Sequence, residues 1–81
     1  RESVDLALDG VPAGIDLAEL RAGLLEQPGC LGVHDLHVWA MSTTEPALTA
    51  HLVVDPDLWS ANTLTVIARD MHDRFGIEHT T

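Results

Sequence analysis

Two apolar-rich runs, residues 31–41 and 47–54, are separated by one short polar stretch, Ser42-Thr43-Thr44-Glu45-Pro46. Nothing else in the chain restricts its folding as much. Both runs carry the β-branched and aromatic residues that suit a pleated surface. Two such strands joined by so short a connection pair as an antiparallel hairpin. Asp55-Pro56-Asp57 ends the second strand, because proline supplies no ladder donor.

Helical patterns flank the hairpin. Gly10-Val11-Pro12-Ala13-Gly14 reads as a turn after a partly apolar lead-in over residues 3–8. Asp16 is placed to cap a helix, with Glu19 as a capping-box variant. Leu17, Leu20, Leu24 and Leu25 draw its apolar face, and Pro28-Gly29 ends it. A longer helix is expected to begin between Leu58 and Asn62, with Leu64, Ile67, Ala68, Met71 and Phe75 as its buried stripe. Gly76 suits the left-handed residue after its end. Residues 77–81 read as a third strand.

The order helix, strand, strand, helix, strand predicts an α+β sandwich of the ferredoxin-like type, lacking its first strand. Two helices cover one sheet face and leave the other open, and a small domain with an open face usually hides it in a partner. Eighty-one residues allow one domain with a modest core, and the 46% hydrophobic content is that of a folded chain. The chain lacks an initiator methionine and stops within its third strand. It is therefore expected to be a fragment, residues 1–81 forming one domain of a longer protein.

Charge removes several function classes. Thirteen carboxylates against four arginines and no lysine leave a net charge of −9. Such a surface repels phosphate backbones and anionic lipid, so nucleic acid is not an expected partner. No apolar run reaches the ~20 residues of a membrane helix. Ser42 and Ser60 have no evident base or oxyanion loop, no glycine-rich phosphate loop is present, and no carboxylate pair stands out. The chain is expected not to be an enzyme. Cys30 has no intrachain partner and is expected to be a small buried residue, and Met41 and Met71 are expected to fill the core.

The histidines are the remaining chemical feature. Strand alternation puts His34 on one face with Leu36, Val38 and Ala40, and His51 on one face with Thr49 and Val53. A hairpin tip near Ser42-Thr43 sets His34 opposite His51, whereas a one-residue slip separates them. The third strand can bring His79 to the same face. Three imidazoles with a carboxylate or water make a zinc set. The plainer reading keeps them as ordinary strand histidines with hydrogen-bond partners. His37 is expected on the face opposite His34, beside Asp35 and Trp39, and His72 on the solvated face of the second helix between Arg69 and Asp73. Trp39 and Trp59 are candidates for an interface or for the core.

Three strings also carry a resemblance: Gly32-Val33-His34-Asp35-Leu36-His37-Val38-Trp39, Ala50-His51-Leu52-Val53-Val54, and Phe75-Gly76-Ile77-Glu78-His79-Thr80-Thr81. Together they resemble the cytoplasmic C-terminal domain of cation diffusion facilitator transporters, in particular the bacterial zinc, cobalt and cadmium exporters. The resemblance implies a regulatory domain on the cytoplasmic side of the bacterial inner membrane, attached to a transmembrane domain that exchanges a divalent cation for protons. It also implies a ferredoxin-like fold, a V-shaped homodimer, and closure of that dimer on metal binding. His34, His51 and His79 match the family's ligand positions for zinc or for cadmium, cobalt or nickel.

Two departures bear on the site. Ser60-Ala61-Asn62-Thr63-Leu64 has no histidine where some members hold a second ion. Many relatives carry an acidic residue further along the last strand; this chain stops at Thr81, so that ligand is expected to be absent from the fragment, leaving water, Glu78 or a residue of a partner chain to complete the shell. Competing readings are a purely structural dimerisation module and a free-standing metallochaperone, the latter disfavoured by the lack of a Cys-x-x-Cys pair.

Overall fold

The computed structural model describes residues 11–42 and 44–81. The lead-in expected over residues 3–8 lies outside the described residues. Helix α1 (Leu17–Leu25) is followed by strands β1 (Cys30–Ser42) and β2 (Glu45–Val54), helix α2 (Ala61–Phe75) and strand β3 (His79–Thr80). The sheet order is β1-β2-β3. Strands β1 and β2 form the expected antiparallel hairpin. Strand β3 runs parallel to β2, which requires a crossover, and α2 is that crossover.

Local chemistry sets the helix ends. The Asp16 carboxylate accepts hydrogen bonds from the amides of Ala18 and Glu19, at 2.9 and 3.2 Å, which satisfies two of the free donors of the first turn. Helix α2 opens on a Ser60–Thr63 capping box. It closes on Gly76 in the left-handed region (φ 72°), with the Gly76 amide donating to His72 and that of Ile77 to Met71. A side chain at residue 76 would meet the left-handed penalty that glycine avoids.

Both helices pack on one face of the sheet. Leu20 and Leu24 of α1, Ile67 and Met71 of α2, Val33, Val38 and Leu48 of the sheet, and Ile77 form one buried cluster. Burial of such a side chain contributes about 1.5–3 kcal/mol. A nine-residue helix is marginal alone, and a polar clasp joins it to α2. Gln27 Nε2 donates to the Gly23 carbonyl (3.1 Å) and to Asp70 Oδ2 (2.8 Å), and Arg74 Nη1 donates to the same oxygen at 3.1 Å.

Several expectations need correction. Leu64 is 52% exposed and rims an apolar groove of about 240 Å³ beside Trp59 and Leu52. Met41 is exposed near the hairpin tip, while Met71 is fully buried. Cys30 is only half-buried, its thiol 3.6 Å from the Gly32 carbonyl. Strand β2 starts earlier than expected, because Glu45 already pairs with Ser42. Pro46 is tolerated there because its carbonyl, which accepts from the Glu78 amide, faces β3 and not β1.

Candidate metal centre

Strand β2 alternates regularly. Leu48, Ala50 and Leu52 pack toward the core, so Ala47, Thr49, His51 and Val53 point to the open face. Strand β1 does not alternate regularly. Near the tip its partners are Trp39↔Ala47, Val38↔Leu48 and His37↔Thr49, but farther on they become His34↔His51 and Val33↔Leu52. One extra β1 residue is accommodated between His34 and His37, which makes a β-bulge. Asp35 sits in it with φ 53°, the left-handed conformation that a short polar residue tolerates.

This bulge builds the site. Without the extra residue, the pairing near the tip would continue to Asp35↔His51 and His34↔Leu52, and His34 would point into the core. With it, His34 and His51 stand side by side on the open face. Directly opposed side chains have Cβ atoms about 5 Å apart. Both histidines are exposed. The His34 ring lies back along the strand, with Nε2 3.7 Å from where a Cβ on Gly32 would sit. The Asp35 carboxylate lies 3.0 Å from His51 Nδ1. A carboxylate only accepts, so as a hydrogen bond this contact requires a proton on His51 Nδ1.

The expected partition of the faces is thereby corrected. His34 shares its face with His37, Trp39, Thr49 and His51. Leu36 and Val38 lie on the core side with Val33. His37, expected on the face opposite His34, is on the same one. Its expected neighbour Asp35 reaches across the hairpin to His51 instead.

His79 also reaches the open face, because its β2 partner is Ala47. Ala47 lies four positions from His51, about 13 Å along a strand rising ~3.3 Å per residue. His79 Nε2 is 3.5 Å from Glu45 Oε1. The structure therefore brings His34, Asp35 and His51 to one end of the face, and Glu45 and His79 to the other. Among the described residues no three metal-type side chains are close enough to share one ion. His72 is on the solvated side of α2, as expected, with Nδ1 3.2 Å from Asp73 and Nε2 3.7 Å from Glu78.

Two imidazoles and a nearby carboxylate are the donor types a zinc-like ion takes, and they are open to solvent. They fit part of a coordination shell rather than all of it. The sequence reading places Asp35 only as a neighbour of His37 and assigns Glu45 no role in the site. Asp35 did leave a signal: aspartate is depleted within strands, and its place amid a long apolar run marks the bulge.

Residues 12–81 match the family described as the cytoplasmic domain of cation efflux proteins. The chain belongs to that family. Relatives agree along its whole length. It is 36% identical over 81 residues to a probable zinc transporter protein of Dictyostelium discoideum, and 35% identical over 85 residues to the metal cation efflux system protein CzcD of Cupriavidus metallidurans. The chain spans only 15% and 26% of those two proteins' lengths. The metal-bound C-terminal domain of the CzcD transporter superposes with a TM-score of 0.72 at 35% identity, covering 83% of this chain and 93% of that one. The ferredoxin-like α+β fold of this cation efflux domain is thus the one expected from its order of elements. Among the described residues no helix is long and apolar enough to cross a membrane.

Proposed function

We propose that this cation efflux domain is the metal-responsive, dimerising cytoplasmic arm of a proton-coupled exporter of zinc or a similar divalent cation, on the cytoplasmic side of a bacterial inner membrane. The arm itself catalyses no reaction. The observation that carries the reading is the exposed cross-strand pair His34–His51, set side by side on the open face by the bulge, with the Asp35 carboxylate 3.0 Å from His51 Nδ1.

In this reading His34 and His51 hold the ion in one chain. His79 is the third protein ligand and comes from a second copy packed against the open face, since within one chain it stands about 13 Å away. Exposed Trp39 and Val53 supply apolar surface for that packing. Two copies each carrying nine formal negative charges repel. A divalent cation reduces the repulsion and bridges the copies, so metal favours the closed pair over the open one. The transmembrane domain of the same protein senses that closure. Binding requires neutral imidazoles, so protons compete with the metal.

Zinc titration followed by calorimetry and small-angle scattering tests the proposal. The expected result is saturable binding, accompanied by dimer compaction, that His34→Ala, His51→Ala and His79→Ala each weaken. Saturable binding without any compaction would overturn the switch, and no binding at all would favour the structural module.

A further inference from the structure

We infer that Asp35 is the positioning residue of the site: it fixes the tautomer and ring orientation of His51, so that the metal is taken by Nε2. The inference rests on the reading of His51 as a ligand and adds a residue to it. Three properties of residue 35 converge. Its backbone stands at φ 53°, which glycine, asparagine and aspartate adopt most readily. It lies in the bulge that puts His34 opposite His51. Its Oδ2 is 3.0 Å from His51 Nδ1 across the hairpin.

Each alternative residue meets at most two of these demands. Glycine satisfies the backbone but offers no acceptor. A glutamate offers the acceptor at the cost of the left-handed conformation. Asparagine satisfies the backbone and offers an amide oxygen without charge. Aspartate is the residue that combines a short reach, left-handed tolerance and a carboxylate. Because the carboxylate only accepts, it selects the Nδ1–H form of the neutral ring. A metal-binding histidine typically has its second nitrogen held in this way, and losing such a partner typically costs about 10–100-fold in metal affinity.

Exposure makes the contact consequential for orientation rather than stability. The two side chains are 79% and 70% exposed, and exposed pairs of this kind contribute little to folding. A free imidazole in water favours the Nε2–H form, in which the outward nitrogen is blocked by its proton. The Asp35 contact reverses that preference before any metal arrives.

The test uses the 81-residue chain with and without zinc. Nitrogen-15 spectra of the metal-free protein identify which ring nitrogen of His51 is protonated, and calorimetry gives the zinc affinity. Wild type is expected to show Nδ1–H. Asp35→Gly keeps the bulge but is expected to lose that tautomer and about 10–100-fold in affinity. Asp35→Asn is expected to retain the tautomer and to lose less. If Asp35→Gly keeps the Nδ1–H tautomer or wild-type affinity, the inference fails. An Asp35→Asn variant that falls as far as Asp35→Gly would also overturn it, because the charge would then act on the ion directly. His51→Ala separates the two levels: unchanged zinc affinity there would sink the ligand assignment, while the tautomer reading would still judge Asp35.

Discussion

On the core side of the sheet, Val33, Val38 and Leu48 meet Leu20, Leu24, Ile67 and Met71 and are withdrawn from solvent. On the other side His34, His51, Thr49 and His79 stand on the same sheet, and among the described residues no helix lies above them. The core side is held by buried area, which tolerates small displacements of any one atom. The open side contributes little to stability and depends on position, since donors shifted by one residue would face the other way. A single bulge serves both. It lets Val33 and Val38, which simple alternation would put on opposite faces, both point into the core, and it frees His34 to stand beside His51.

That contrast can be broken by mutation. Leu48→Ala should produce the largest effect, about 2–5 kcal/mol lost in urea unfolding, because it empties a fully packed position. A loss below about 1 kcal/mol would mean that the core layer is not what holds the sheet. His51→Ala should do the reverse: stability within about 0.5 kcal/mol of wild type, but a fall in zinc affinity beyond the ~10–100-fold typical of an outer-shell partner. Destabilisation comparable to Leu48→Ala would erase the division of labour between the faces.

Substitution at the bulge sharpens the comparison. Asp35→Val should cost about 1–2 kcal/mol through left-handed strain, whereas Asp35→Gly should cost little. Equal thermal midpoints for these two variants would show that residue 35 is not held at positive φ. The smallest effect is expected for Thr49→Val, between the two histidine groups on the open face. It should change unfolding free energy by less than about 0.5 kcal/mol and leave zinc affinity unaltered in calorimetry.

Much of the core layer was legible in the sequence because it follows local rules. Asp16 as an N-cap, the Ile67–Met71 stripe and Gly76 at the end of α2 all depend on residues within a turn of one another. The hairpin was equally legible, since its two runs lie close together in the chain. The open face was harder to read. Pure alternation assigns His34 to the side of Leu36 and Val38, and one extra residue in β1 reverses that and sets it against His51. The level at which β3 joins β2, and with it the position of His79 beside Ala47, is set by the length of α2 and its packing. Leu64 fits the apolar stripe of α2 but lies above the groove rim, where no described element covers it.

The most direct test of the central claim, that the bulge assembles a metal half-site from His34 and His51, is a zinc-soaked crystal structure with anomalous scattering recorded at the zinc edge. The account predicts a peak on the open face between the two rings, about 2.0–2.1 Å from His51 Nε2. A peak confined to Glu45 and His79, or elsewhere on the surface with the His34–His51 pair bare, would contradict it.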